Sequence, residues 1–141
     1  MTTVRKWRIR LPYRTPPLTL NTRTHHWSAR YRIEQQIHRD MITLARANQL
    51  PTGLTKIRVQ LGYTPRDNRR RDNDNLTATA KPLYDALTKP NKVNKTGHGM
   101  VPDDTPEYMD KPAPVITAAD PKDPHLWVVI TDLSGDHHNG T

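Results

Sequence analysis

The chain contains no cysteine and no phenylalanine among its 141 residues. The absence of cysteine excludes a disulfide framework, a thiolate nucleophile and a zinc site of the cysteine type. No run of about 18 apolar residues occurs, and the first ten residues lack an apolar segment of signal-peptide length. We therefore expect a soluble, cytoplasmic protein with no membrane partner.

Large apolar residues are also scarce. Leu, Ile, Val and Phe together make up 26 of the 141 residues, which leaves material for only a thin hydrophobic core. A chain of this length is expected to form a single domain. We assign that domain to residues 1–133 and expect residues 134–141 to form a disordered tail.

Charge is abundant and unevenly distributed along the chain, whose net charge is +8. Up to Arg66 there are 13 lysines and arginines against 2 acidic residues, whereas the remainder has 9 against 12. The basic part predicts a polyanionic partner, for which nucleic acid is the simplest candidate. The acidic part needs its own explanation, because carboxylates repel phosphates unless a cation lies between them.

Apolar and polar residues alternate in the manner of half-buried strands at residues 7–11 and 57–63, and short apolar runs at residues 115–116 and 126–132 also predict strands. The last two segments are separated by a short turn-prone stretch. The pattern therefore predicts that they form a β-hairpin.

Two further segments have apolar residues at every third or fourth position, as amphipathic helices do. The first covers residues 29–48, with Ser28 as its predicted N-cap. The regular part of the second is expected to begin near Ala80, because Pro82 is best tolerated in a first helical turn. This order of elements predicts an α+β fold in which a small mixed β-sheet of about four strands packs with two α-helices.

The most informative segment for chemistry is RRRDNDNL at residues 69–76. In extended backbone the side chains of Asp72 and Asp74 point to the same face. Asp103 and Asp104 form a second acidic pair that the fold can bring beside the first. Carboxylates gathered in this way need a counter-charge, and Mg²⁺ or Mn²⁺ prefers oxygen ligands. A metal that polarises a phosphodiester and activates water carries out nuclease chemistry.

The basic residues next to these acids are expected to bind phosphates of DNA. The expected contacts in this part of the chain are Arg66, Arg69, Arg70, Arg71 and Asn75. Lys81 is a candidate for neutralising negative charge in the transition state.

Each of these features has a plainer interpretation. Asp and Asn are common in turns and helix caps, so residues 72–75 are equally compatible with a simple strand-to-helix turn. The arginines are compatible with a solvated run of charge. Lys81 lies four residues before Asp85, at the spacing of a surface ion pair on a helix.

Three motifs together resemble the RusA family of Holliday junction resolvases, namely RRDNDNL at residues 70–76, KPLYDAL at 81–87, and Asp103-Asp104. Leu11-Pro12, Pro16-Pro17 and Asn21 are similar to the N-terminal loop of that family. The resemblance extends over residues 4–133 and implies a RusA-like fold. It implies a homodimeric, Mg²⁺-dependent endonuclease of bacteria or phages that nicks four-way DNA junctions in pairs, in recombination and repair. The thin core is compatible with a homodimer.

The resemblance also implies roles for individual residues. Asp72, Asp74 and Asp104 correspond to catalytic, metal-binding carboxylates, and Asp103 to a further metal ligand. Lys81 corresponds to the catalytic lysine. In the bacterial members that lysine stands at the position of Ala78 in this chain, so Lys81 lies three residues later.

A second departure is the loop at residues 89–100, which is longer and more basic than the family needs. Its lysines, Lys89, Lys92 and Lys95, are expected to contact a DNA arm, with a disordered insertion as the alternative. For the whole protein, two other functions stay open. One is a non-catalytic module that binds DNA junctions, and the other is a metal-dependent nuclease for RNA or flaps. Neither uses a small-molecule substrate.

Overall fold

Five strands and two α-helices form the part of the chain that the computed structural model describes, residues 4–19 and 27–135. The strands are β1 (Lys6–Arg10), β2 (Ile57–Thr64), β3 (Met109–Asp110), β4 (Val115–Ile116) and β5 (His125–Asp132). The helices are α1 (Trp27–Ala47) and α2 (Thr77–Asp85). The predicted α+β class with a mixed sheet and two helices is confirmed, and the sheet has five strands.

The sheet is organised around β5, which pairs antiparallel with β1 on one edge and with β2 on the other. The two short strands β3 and β4 both pair in parallel with β2. The predicted hairpin between residues 115–116 and 126–132 is therefore wrong. Because β1 and β2 occupy both edges of β5, β4 pairs with β2 instead, with Val115 opposite Gly62.

The core lies between one face of this sheet and the two helices. Alternate residues of the long strands, such as Val59, Leu61 and Val128, are fully buried. They belong to one apolar cluster with Met41 of α1 and Leu83 of α2. The alternation in β1 and β2 and the helical spacing in α1 and α2 therefore agree with the core that the structure shows.

The helix starts differ from the predicted ones. Helix α1 begins at Trp27, so Ser28 lies within its first turn and is not an N-cap. Helix α2 begins at Thr77 and not near Ala80, because the 3₁₀ turn Asn73–Leu76 leads directly into it. Pro82 therefore lies in the interior of α2, where it lacks the N–H of a regular helical hydrogen bond.

Ser134 is held against the start of β2, where its hydroxyl accepts a hydrogen bond from the amide of Thr55 at 2.9 Å. The rest of the predicted tail, residues 136–141, lies outside the described residues. The same is true of Asn21 in the predicted N-terminal loop. No helix in the described ranges is long and apolar enough to cross a membrane.

Tyr84 fills a gap in the hydrogen bonding of β2. The strands β3 and β4 pair with residues 57–58 and 62–63 of β2, and leave the residues between them without a parallel neighbour. There the buried amide of Leu61 donates to the Tyr84 hydroxyl at 2.9 Å. Burial raises the pKa of Tyr84 to about 12. The hydroxyl is therefore neutral at physiological pH, and α2 is joined to the sheet.

We predict that Tyr84→Phe lowers the free energy of unfolding by about 1–3 kcal/mol, because the buried amide of Leu61 loses its acceptor. Denaturant unfolding followed by circular dichroism measures the change. Tyr31→Phe is the matched control, since Tyr31 lies half exposed on α1 and its ring contacts Trp27. Equal losses in the two variants would contradict the role given to the Tyr84 hydroxyl.

Candidate nucleic-acid interface and metal-binding turn

Arg71 fixes the segment that connects β2 to the 3₁₀ turn. Its guanidinium donates to the backbone carbonyls of Asp67 and Arg69 at 2.8 and 3.0 Å, and to the Asp67 carboxylate at 2.8 Å. It also lies 5.8 Å from the ring centroid of Tyr63, and only 20% of the side chain is exposed. Arg71, predicted as a DNA contact, therefore has most of its donors engaged within the protein.

The Asp67 carboxylate lies among three guanidinium groups. Arg66, Arg69 and Arg71 approach it at 3.6, 3.4 and 2.8 Å. The hydrogen bond from Arg71, together with that from the Arg69 amide, lowers the pKa of Asp67 to about 2. One negative charge among three positive ones leaves this segment with a positive excess, in agreement with the predicted basic surface.

A cavity of about 640 Å³ opens beside this segment. Four arginines line it, of which Arg66, Arg69 and Arg71 were predicted and Arg14 was not. Arg14 lies in the loop after β1, far from the others in sequence, and no local pattern distinguishes it from the other basic residues of that half. Since Arg71 is engaged with Asp67 and Arg69, the other three arginines give this cavity a positive lining suited to phosphate groups.

A second cavity, of about 710 Å³, adjoins the first and shares Tyr63 and Arg71 with it. Asp72, Arg70 and Asn75 also line it. With Arg71, the structure thus brings together four of the predicted site residues from the RRRDNDNL segment. A carboxylate, a guanidinium and an amide here lie beside an arginine-lined space.

Asp72 caps the 3₁₀ turn. Its backbone is extended, with φ −97° and ψ 123°, and its Oδ1 accepts the amide hydrogen of Asp74 at 3.0 Å. The plain interpretation of this segment, a strand-to-helix turn, is therefore confirmed. The cap uses one carboxylate oxygen of Asp72, and both Asp72 and Asp74 are exposed to solvent. Capping and metal binding are compatible at this position.

Lys81 lies between two carboxylates. Its ammonium donates to Asp85 Oδ1 at 3.1 Å and to Asp104 Oδ2 at 2.9 Å. The predicted ion pair between Lys81 and Asp85 is therefore confirmed, and Asp104 is a second partner. Lys111 approaches Asp104 at 3.7 Å. Sequence reasoning missed Lys111, which follows β3 and whose approach depends on tertiary packing alone.

The electrostatics of these carboxylates differ. The hydrogen bond from Lys81 lowers the pKa of Asp104 to about 2. Burial raises the pKa of Asp85. Although burial acts in the opposite direction, the hydrogen bonds to Asp104 and Asp85 raise the pKa of Lys81, so its ammonium is protonated at neutral pH. Asp103 accepts the amide hydrogen of Asp104 at 2.8 Å and is itself exposed.

Within residues 4–19 and 27–135, no group of three or more histidine, aspartate or glutamate side chains is arranged to hold a metal ion. Asp72 and Asp74 share one turn, and Asp103 and Asp104 lie in the loop after Val101. Asp104 contacts Lys81 and Lys111. The carboxylates that the resemblance groups together therefore occupy two different segments.

The loop at residues 89–100 is anchored at its C-terminal end. The rings of His38 and His98 hydrogen-bond the carbonyls of Thr96 and Leu50, each at 2.8 Å. Gly97 passes so close to Thr88 that a Cβ atom there would lie 2.1 Å from the Thr88 carbonyl oxygen. The predicted DNA contacts Lys89, Lys92 and Lys95 are all exposed.

Compared with models of known protein families and with curated protein sequences, the chain matches none. The resemblance to RusA resolvases therefore rests on the motif residues themselves. The geometry around those residues, and not a relative, supports what we infer about function.

We predict that Arg70 and Arg71 respond differently to substitution. Arg71→Gln lowers the free energy of unfolding by about 1–3 kcal/mol, because the backbone carbonyls of Asp67 and Arg69 lose their charged donor. Arg70→Gln leaves stability within about 0.5 kcal/mol, because Arg70 is exposed. Denaturant unfolding of both variants checks this difference. A larger loss for Arg70→Gln than for Arg71→Gln would contradict it.

We further predict that Lys81→Met raises the pKa of Asp104 from about 2 towards the ordinary value of a carboxyl group, with Lys111 retaining part of the shift. Because the folded-state pKa of Asp104 is depressed, the pair with Lys81 stabilises the fold above about pH 4. That stabilisation is lost as the pH falls towards 2. Carboxyl ¹³C titration by NMR measures the pKa, with Lys122→Met as the control. An unchanged Asp104 pKa in Lys81→Met would contradict the assignment.

Proposed function

We propose that this protein is a divalent-metal-dependent endonuclease that acts on branched DNA, in the manner of the RusA resolvases that its motifs resemble. One observation carries the proposal. The cavity that contains Asp72 and Asn75 adjoins the cavity lined by four arginines, with Tyr63 and Arg71 common to both. A DNA backbone bound by the arginines would pass beside the carboxylates of the turn.

The donor set at the turn fits Mg²⁺ or Mn²⁺. Asp72 and Asp74 supply exposed carboxylate oxygens, which hard cations prefer. Magnesium is commonly bound by one or two carboxylates and completed by water and substrate phosphate, and in the proposal Asp72 and Asp74 are those carboxylates. When bound, the ion would polarise the phosphodiester and supply a nucleophile near neutral pH.

The remaining residues have complementary roles in this proposal. Arg14, Arg66 and Arg69 bind and orient the phosphates that flank the scissile bond, while Arg71 holds their segment in place. Asn75 lies on the turn beside Asp72 and can hydrogen-bond the DNA backbone. Water attacks phosphorus as the bond from phosphorus to the leaving sugar oxygen breaks, with no covalent enzyme intermediate.

Lys81 is the proposed stabiliser of negative charge on the phosphate. Its ammonium is protonated at neutral pH and is held by Asp85 and Asp104. A fixed positive charge contributes most where charge develops in the transition state. In the proposal, Asp104 and Asp103 join the metal site only if Asp104 exchanges its contact with Lys81 for the cation. That the protein is a homodimer and that its substrate is a four-way junction are both proposed from the resemblance to the RusA family.

The test is cleavage of a labelled synthetic four-way junction, a linear duplex and a single-stranded RNA, each with Mg²⁺ and with EDTA. We expect paired, symmetric nicks in the junction that need the metal. Asp74→Asn should lower the cleavage rate by more than about 100-fold, since even residues that only support metal ligands contribute 10–100-fold. Glu34→Gln, on α1 and paired there only with Arg30 in the residues that the structure describes, is the control and should cleave as the wild type does.

Two outcomes would overturn parts of the proposal. Binding to the junction without cleavage in Mg²⁺ or Mn²⁺ would leave a DNA-binding module and no nuclease. Cleavage of the RNA in place of the junction would retain the metal-dependent chemistry and replace the substrate.

A further inference from the structure

The face of the sheet that the helices do not cover carries a row of positive charge. On β1, Ile9 is buried on the helix side, so Lys6, Arg8 and Arg10 point to the opposite face. Successive members of this row lie about 7 Å apart along the strand. On β2, Arg58 points to the same face, because it and Lys6 are both paired with Thr131 of β5.

Two of these four cations are not neutralised. Arg10 pairs with Asp123 and Arg58 pairs with Asp110, in both cases between exposed side chains. Lys6 and Arg8 have no acidic partner among the residues that the structure describes. Exposed ion pairs contribute little to stability. Arg10 and Arg58 can therefore release Asp123 and Asp110 and bind another anion in their place.

Arg8 is held in place by Trp127. Its guanidinium carbon lies 4.2 Å from the centroid of the indole ring. The ring lies across Gly62 of β2, where a Cβ atom would come within 2.1 Å of it, and its Nε1 donates to Thr64 Oγ1 at 3.3 Å. The contact orders Arg8 while the side chain remains exposed, so less entropy is lost when it binds an anion.

The geometry points to a second DNA-binding surface on this face, formed by Lys6, Arg8, Arg10 and Arg58, that contacts the sugar-phosphate backbone of a duplex arm. Charge complementarity favours duplex DNA as the occupant. A second copy of this chain is disfavoured, because two such faces would bring like charges together. This inference rests on the proposed function for its ligand and concerns residues outside both cavities of the candidate site.

The test measures the affinity for a linear duplex and for a four-way junction between 50 and 200 mM salt. Each phosphate neutralised on B-form DNA contributes about 0.9 to the slope of log affinity against log salt concentration. The double variant Lys6→Gln/Arg8→Gln should therefore lose about 1.8 from the slope. Arg39→Gln/Arg46→Gln removes two exposed charges from α1 and should keep the wild-type slope.

Two single variants guard against loss of folding through the Trp127 contact. Lys6→Gln leaves that contact intact and should lose about 0.9 from the slope, and Arg8→Lys retains the charge and should keep the slope. Equal slopes for Lys6→Gln/Arg8→Gln and the wild type would overturn the inference. An equal loss of slope in Arg39→Gln/Arg46→Gln would also overturn it, because the effect would then follow from the lower net charge and not from this face. Dissociation of a dimer by the double variant, with an unchanged slope, would instead make this face an interface between copies.

The inference and the proposed function can fail separately. A wild-type protein that binds duplex DNA with the expected slopes and cleaves nothing would overturn only the nuclease. A protein that cleaves junctions with slopes insensitive to Lys6 and Arg8 would overturn only the second surface.

Discussion

The position of the candidate site depends on one guanidinium group, that of Arg71. Its hydrogen bonds to Asp67 and to the Arg69 carbonyl fold the chain between β2 and α2 onto itself, and Tyr63 anchors it to the sheet. Because that backbone is fixed, Asp72 begins the 3₁₀ turn in an extended conformation and presents its carboxylate to solvent. A second anchor is Asn68, whose Oδ1 accepts the amide hydrogen of Ala119 at 3.0 Å, so the arginines and carboxylates keep a set relation to each other.

Two charge clusters of opposite composition lie before α2 and on it. Before the helix, the single carboxylate of Asp67 is shared by three arginines, which leaves positive charge available for an anion. On the helix, the single ammonium of Lys81 is shared by two carboxylates, Asp85 and Asp104. The first arrangement suits phosphate binding and the second holds a cation in a defined place. In the proposed nuclease, the first cluster would bind phosphates and the second would place a positive charge near the transition state.

The sequence was informative where a periodic pattern or a short-range contact decides the structure. Alternation predicted β1 and β2, an apolar run predicted β5, and the spacing between Lys81 and Asp85 predicted their ion pair. The apolar pair at residues 115–116 predicted β4 but not its partner, and nothing predicted β3, since a strand of two residues has no period to detect. The approach of Arg14 to the cavity and of Lys111 to Asp104 also depends on chain crossings that no local pattern encodes.

The central claim is that the turn formed by residues 72–75 holds the divalent cation. Paramagnetic broadening by Mn²⁺ in ¹H–¹⁵N spectra tests it directly, because the effect falls off steeply with distance from the ion and needs no DNA. We predict that the amides of residues 72–75 broaden first, and that Asp72→Asn/Asp74→Asn abolishes this effect. Broadening that is centred elsewhere, or that survives in the double variant, would contradict the account.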